Sequence, residues 1–475
     1  MALNMFRRGK GANPILLFGA SLLLTKGLAF VTIPLTTGRL APADYGRLEL
    51  TTSIIEAFGI VLTLGLADSL FRFTAESDEQ ERRRISGGLA GMALVLALGI
   101  GVLLQAGVYL LAPRLGLASV QRALAIGLAS ASLSGLIELP LAYLRLRGQA
   151  GAFLIFTVAR AALQVAVMAV TLNAGWGVEG LLAGNAAVDL CISALLLISH
   201  IRSCGLRIDR TMFSRAAGYN LPLIGGSLAM FVLGSCDRWF LAGVVAPATL
   251  GFYGLSVKLS LIAPLAIQPF GMWWYARRIA VLRQPGGMEA SARGVTVGLV
   301  LLAAGALAAC LGAPLLITYL APPAYRAALE YLPWLALAAA LNELCSLINV
   351  GVYAEQKGYR ILAVNGAGAV VALLLYALLT TPYGVWGAIA ATLAGHSARL
   401  GLYLALGRRS APIAYPWPLA GMLFGLVAGL VAGLRVADSA AAATGLLVVG
   451  LGAFAWLAWR VARREAPALF AGQLA

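Results

Sequence analysis

Fourteen stretches of about 20 or more mostly apolar residues run through this chain, and they leave it few ways to fold. They lie near 14–36, 47–70, 87–112, 119–142, 152–173, 179–200, 217–241, 249–272, 294–316, 328–352, 361–381, 384–406, 418–436 and 441–459. A bilayer core takes about 20 apolar residues per helix, whereas a barrel strand would show ~10 residues of alternating pattern. Continuous runs of this length predict an all-α integral membrane protein of about 14 transmembrane helices. Of the 475 residues, 61% are hydrophobic and 11% charged, against about 45–50% and about 25% in soluble domains. No soluble fold buries that much apolar surface. The leading segment MALNMFRRGKGANP is basic and carries no small-residue cleavage site, so a retained first helix is expected rather than a removed signal peptide.

The net charge of +16 could be taken for a nucleic-acid signal, but orientation explains it better. With the N-terminus inside, the cytoplasmic segments hold 22 of the 35 basic residues, among them Arg7, Arg8, Lys10, Arg277, Arg278 and Lys357. The opposite loops hold only Arg39, Arg47, Arg114, Arg122, Arg326 and Arg435. That asymmetry predicts both termini in the cytoplasm and an even number of spans; the Ala-, Gly- and Leu-heavy spans suggest a bacterial gene of high GC content, and so a multi-pass protein of the bacterial inner membrane. The basic residues read as topology anchors, and no nucleic-acid partner is expected. The five cysteines are scattered, without a CxxC pair or a histidine at ligand spacing, so free thiols and no metal are expected. No phosphate-binding GxxxxGK[ST] loop occurs and no cofactor is implied.

The chain also repeats itself. Ala41-Pro42-Ala43 with Gly46 returns as Ala246-Pro247-Ala248 with Gly251, and Leu111-Ala112-Pro113 returns as Leu320-Ala321-Pro322. Arg147-Gly148 matches Lys357-Gly358, and Gly177-Val178-Glu179-Gly180 matches Gly384-Val385-Trp386-Gly387. The four offsets, 205, 209, 210 and 207, agree within five residues. Each spans six helices, an even number, so the halves have the same orientation: two parallel-repeat six-helix bundles. Transporters built from such repeats bind substrate between the halves and rock one against the other. The expected organisation is an N-terminal lobe at 1–201, a cytoplasmic linker at 202–216 and a C-terminal lobe at 217–406. Two additional helices and a tail follow at 407–475.

Several charges lie inside the spans. Lys26 falls at the centre of span 1, Arg160 in span 5, Arg238 near the outer end of span 7, Lys258 in span 8 and Arg399 in span 12. Five such residues facing lipid would cost on the order of 10–15 kcal/mol, comparable to a whole protein's stability. They are expected to face protein or a wet cavity, with Arg238 and Arg399 placed to snorkel. Lys26, Arg160 and Lys258 have no counterpart in the other half, whereas Arg72 maps onto Arg277 and reads as an anchor. The acids within the spans are Glu56, Asp68, Glu138, Asp189, Asp237 and Glu343. Internal pairing is one reading, for example Arg160 with Glu138 or Asp189. The other is a cavity with a cationic patch for an anionic head group. On that reading Lys26, Arg39, Arg160, Arg238, Lys258 and Arg399 are candidates for substrate binding, and Asp68, Asp237 and Glu343 for a coupling cation. His396 shares a helix face with Arg399 and reads as a packing histidine before a proton relay. Pro264 and Pro269 are hinge candidates.

Certain phrases carry a family likeness. They are Arg39-Leu40-Ala41-Pro42 with Asp44-Tyr45-Gly46, Gly65-Leu66 through Leu70-Phe71-Arg72, and Leu221-Pro222 with Asp237-Arg238. Gly251-Phe252-Tyr253 leading to Lys258-Leu259, and Tyr383-Gly384-Val385-Trp386-Gly387-Ala388, complete the set. In these and in its layout the chain resembles the Wzx-type lipid-linked oligosaccharide flippases of the MOP superfamily, which also includes lipid II flippases and multidrug (MATE) antiporters. The resemblance implies a MATE/MOP-like pair of six-helix lobes plus two C-terminal helices. Its partners would be an undecaprenyl-pyrophosphate-linked oligosaccharide, the bilayer, H+ or Na+, and polysaccharide polymerase machinery around a monomer. Lys26, Arg238 and Lys258 carry over only as basic residues in cavity-lining helices. A MATE-like multidrug or cation antiporter remains the alternative. A membrane enzyme would need a large outward loop, and all the outward loops are short.

Overall fold

The computed structural model describes residues 14–63, 65–354, 358–436 and 439–471. The N-terminal anchors Arg7, Arg8 and Lys10, and Lys357, lie outside the described residues. Among the described residues every regular element is helical. The chain divides into two compact units: unit 1 is Met1–Phe231 with Ala246–Gly251, and unit 2 is Val232–Val245 with Phe252–Ala475.

Unit 1 contains α1 (Pro14–Thr37), α2 (Pro42–Thr63), α3 (Leu66–Thr74), α4 (Glu79–Leu111), α5 (Gln121–Ser132) and α6 (Ser134–Leu146). It continues through α7 (Ala150–Asn173), α8 (Gly177–Cys204) and most of α9 (Arg210–Gly234). The next elements are α10 (Asp237–Ala242), α11 (Pro247–Ser260), α12 (Ile262–Leu282), α13 (Gly287–Leu320) and α14 (Leu332–Ile348). The chain ends in α15 (Val350–Ala354), α16 (Gly358–Tyr383), α17 (Val385–Ser410), α18 (Trp417–Val436) and α19 (Ala440–Ala471).

Thirteen helical stretches among the described residues are long and apolar enough to cross a membrane. The remaining long helix is α17, 26 residues with Thr392, His396 and Arg399 along it, all three buried. Its polar groups are turned into protein, so it can span without a continuous apolar run. The chain is a multi-pass membrane protein. Its surface is accordingly apolar: Val102, Leu103 and Leu110 on α4 are 68%, 70% and 65% exposed, as expected of positions that meet acyl chains.

Each unit has its own core. Leu66, Leu70, Leu89, Leu139 and Tyr143 centre that of unit 1. In unit 2, Trp274, Leu299, Leu302, Leu347 and Tyr403 pack with Leu423 and Val427 of α18 and Phe454 of α19. The two helices outside the repeat are therefore built onto the second core.

The repeat is visible in the architecture. The 33-residue α4 and the 34-residue α13 are the longest helices of their units. Each leads through a 3-10 segment, Ala118–Val120 or Pro323–Glu330, into a span broken partway, at Leu133 or at Asn349. The first echo also meets the second, within unit 1. A Cβ on Gly46 would fall against the Pro247 carbonyl oxygen and 2.9 Å from the Gly251 nitrogen. One on Gly251 would fall against the Pro42 oxygen and 3.1 Å from the Gly46 nitrogen. Only glycine at both positions lets the opening turns of α2 and α11 touch backbone to backbone.

Further breaks have local causes. Between α2 and α3, Gly65 takes a φ of 58°, which glycine adopts without the clash a Cβ brings. Asn220 of α9 fills that notch. Its Nδ2 donates to Ser69 Oγ at 2.8 Å, and Ser69 Oγ lies 3.0 Å from Asn220 Oδ1. Between α11 and α12 the helix breaks at Leu261, where Pro264 has no N–H to offer the Ser260 carbonyl. One basic anchor departs from its expected place. Arg277 is exposed, but Arg278 is only 7% exposed and lies inside unit 2.

Candidate functional site

A break at membrane depth frees backbone polar groups, which is tolerated only where protein or a wet cavity receives them. The candidate charges collect at these breaks. Asp68 stands in the first turn of α3, Lys258 in the last turn of α11, and Asp237 and Arg238 open α10.

Unit 1 holds a cavity of about 260 Å³. Its walls are Gly59, Ile60 and Thr63 of α2, Ser134 and Glu138 of α6, and Arg160 of α7. Of the two acids the sequence offers Arg160, the structure selects Asp189 of α8: Arg160 Nε donates to Asp189 Oδ1 at 2.8 Å. Asp189 also accepts Ser130 Oγ at 2.7 Å and Gln164 Nε2 at 3.1 Å. The carboxylate side chain is 9% exposed and the arginine 31%. This arrangement fixes one edge of the guanidinium, and its terminal N–H groups donate to no described residue. They remain available to an anion, and fork geometry suits them to phosphate oxygens. Glu138 lines the same cavity without pairing to Arg160, so the cavity presents both signs of charge. A Cβ on Gly59 would meet nothing within 4 Å, which leaves that wall open.

The other candidates are placed variously. Lys26 and Asp68 are exposed on α1 and α3. Arg39 is exposed beside a smaller cavity of about 110 Å³ formed with Pro34, Leu35, Ala169, Leu172 and Asn173, and its Nε donates to Asn173 Oδ1 at 2.7 Å. Lys258 is half-buried. Asp237 and Arg238 are both buried and pair with each other at 3.0 Å. Tyr253 also donates to Asp237, and Arg238 Nη1 donates to the Gly234 carbonyl at 3.2 Å, where α9 ends. The pair thereby seals the α9–α10 break.

Arg399 is 3% exposed. It donates to Asn365 Oδ1 at 3.2 Å and Asn342 Oδ1 at 2.9 Å, with His396 Nδ1 at 3.2 Å. Gly368 makes room for its side chain, because a Cβ there would strike Arg399. Glu343 is half-buried, with Arg399 as its charged neighbour. The structure thus joins Arg160 with Glu138 around a cavity, Asp237 with Arg238, and Glu343 with Arg399 and His396. Reading the sequence did not find Ser130, Gln164, Asn220, Asn342 or Asn365. Their signal was there: amides and a hydroxyl inside apolar runs, Gln164 one turn from Arg160.

Comparison with known proteins adds to this geometry. A family model described as polysaccharide biosynthesis protein matches residues 12–275, more than half of the chain. No curated protein matches it. Among solved structures, lipid II flippase MurJ in an inward closed conformation aligns at a TM-score of 0.67 and 10% identity, covering 97% of this chain and 100% of that one. An inward-facing multidrug resistance MATE family transporter of the MOP superfamily aligns at 0.61 and 15% identity, covering 86% and 98%. A MOP superfamily transporter from Pyrococcus furiosus, with a binding pocket of reverse polarity that suggests a different function, aligns at 0.52 and 16%, covering 84% and 95%. At these identities the likeness concerns the fold, which is that of the MOP superfamily.

Proposed function

Since the chain belongs to the polysaccharide biosynthesis protein family, we propose that it is a flippase for an undecaprenyl-pyrophosphate-linked oligosaccharide. It carries this lipid from the cytoplasmic to the periplasmic leaflet of the bacterial inner membrane by alternating access of its two lobes. The observation that carries the reading is Arg160: a cation midway along a helix long and apolar enough to cross a membrane, clamped on one edge by Asp189 and lining a cavity with its other donors unused. Lys26, exposed in the middle of an apolar helix, supports the same reading, because a lipid-facing lysine there would cost about 2.5–3.5 kcal/mol. Arg39 and Lys258 serve as further contacts along the path, while Arg238 and Arg399 act as internal struts. A diphosphate carries about two negative charges, so a potential of 100 mV, inside negative, assists its outward movement by roughly 4–5 kcal/mol. Coupling to H+ or Na+ falls to Asp68 and Glu343, whose carboxylates accept no hydrogen bond from a described residue, rather than to Asp237.

A second reading, export of organic cations in the manner of a multidrug antiporter, is favoured by one observation: Glu138 in the same cavity. Native mass spectrometry of the purified full chain separates the two. A short-chain lipid-pyrophosphate oligosaccharide should bind, and Arg160→Gln should weaken it by roughly tenfold or more, the worth of a hydrogen bond to a charged group. Binding of ethidium alone, weakened by Glu138→Gln, would replace the flippase reading with the second.

A further inference from the structure

Four buried hydrogen-bond donors in unit 2 have no partner among the described residues, and they fall on neighbouring turns of the hairpin formed by α12 and α13. They are Trp274 Nε1, Tyr275 Oη and Arg278 Nε on α12 and Ser291 Oγ on α13. Trp274 and Ser291 have no exposed surface and Arg278 has 7%. Helices α12 and α13 form an antiparallel hairpin, and Gly294 packs its Cα face on the Trp274 ring, with Cε2 2.8 Å from where a Cβ would stand. Ser291, nearly one turn before Gly294, therefore lies level with Arg278, one turn after Trp274.

Arg278 is itself unusual. Its Nη1 donates to the Ser346 carbonyl and to Asn349 Oδ1, both at 2.6 Å, where α14 ends. Its guanidinium lies over the rings of Tyr275 at 4.8 Å and Tyr353 at 5.2 Å. No described carboxylate comes within ion-pair distance, so a full positive charge is enclosed by aromatic faces and neutral acceptors. Leaving donors unpaired and a cation uncompensated in one buried place is the costly arrangement that native proteins avoid. A water molecule would answer only part of it, because water brings two hydrogens that need acceptors while this cluster is rich in donors.

We propose that the α12–α13 hairpin binds a small inorganic anion, held by the Arg278 guanidinium edge, Ser291 Oγ, Trp274 Nε1 and Tyr275 Oη. Enclosure selects a monatomic or similarly small ion, for which chloride is the probe. The anion neutralises Arg278 and ties α12 to α13 beside the α14–α15 break. The inference does not depend on which substrate the protein carries.

The test is thermal unfolding of the detergent-purified full chain in chloride, bromide or gluconate at equal ionic strength. Unfolding should shift upward in chloride and bromide and saturate with concentration, as binding to the folded state alone requires. Ser291→Ala should fold and bind chloride roughly tenfold more weakly, as expected for losing one hydrogen bond to a charged group. Arg278→Gln should remove the anion dependence. If Arg278→Gln does not fold, Trp274→Phe takes its place and should also weaken chloride. Crystals grown in bromide should show an anomalous peak between Arg278 and Ser291. Equal unfolding of the wild type in chloride and gluconate, or an unchanged chloride dependence in Ser291→Ala and Trp274→Phe, would overturn the proposal.

Discussion

Replacing Gly46 with alanine opposes two effects of known size. In a helix interior the change relieves glycine's entropic penalty and should stabilise by about 0.5–1 kcal/mol. Here the added methyl would fall against the Pro247 oxygen, 2.9 Å from its carbon and 2.9 Å from the Gly251 nitrogen. All three are backbone atoms, so no rotamer change clears them. The two helix openings must part by roughly 1 Å to restore ordinary contact, and overpacking of that kind costs about 1–3 kcal/mol or more. Sterics should win by about 1–2 kcal/mol. Gly251→Ala should behave alike, since its methyl meets Pro42 and Gly46 in the reciprocal arrangement. The double variant should lose less than the sum, because one separation relieves both clashes. Gly27→Ala on α1 is the control, with nothing within 4 Å of its Cβ. Thermal unfolding in detergent reads all four. A Gly46→Ala protein as stable as wild type, beside a stabilised Gly27→Ala, would refute the reciprocal contact.

Other consequences follow from single contacts. Arg160→Gln leaves Asp189, 9% exposed, without its counter-charge and should destabilise by about 3–5 kcal/mol. Asp189→Asn added to it should recover part of that loss in a denaturation cycle. Asn220→Ala removes both hydrogen bonds to the buried Ser69 and should cost about 1–3 kcal/mol. Gly65→Ala should cost about 1–2 kcal/mol by enforcing a left-handed alanine, with Asn220 3.0 Å from its Cβ besides. Asp209 lies outside the membrane spans, and hydrogen bonds from the Thr211 hydroxyl and the Met212 and Thr211 amides hold its carboxyl below the usual range. Its depressed value means that its stabilisation of the α9 start is present above about pH 4 and is lost as pH falls further. Asp209→Asn should flatten that acid limb of unfolding temperature against pH, lowering the unfolding temperature at neutral pH and changing it little below the carboxyl's titration.

The apolar runs and the echoes already pointed to the fold, for a physical reason. Membrane spans are long and must satisfy their own backbone, so a run such as 294–316 announces α13 without help from the rest of the chain. Pro42 to Gly46 and Pro247 to Gly251 were readable as a repeat because close helix contact forces glycine at the same step of both copies. The helix breaks at Leu133 and Asn349 were not readable, since leucine and asparagine at those positions carry no signal of their own, whereas Pro264 marked the break at Leu261. Charge partners were hidden for another reason. Arg160 and Asp189 lie 29 residues apart on successive helices, and only packing decides between Asp189 and Glu138. Arg278 and Arg277 look alike as anchors at a span end, yet helix rotation turns one inward and the other out.

The most direct test of the central claim is transport by the wild-type chain in proteoliposomes. A short-chain lipid-pyrophosphate oligosaccharide would be loaded in one leaflet, ethidium offered as the competing substrate, and a membrane potential imposed. The anionic lipid should cross, should cross faster toward the positive side, and should cross more slowly with Arg160→Gln. Movement of ethidium alone, with the lipid remaining in its leaflet at the rate of protein-free vesicles, would contradict that claim.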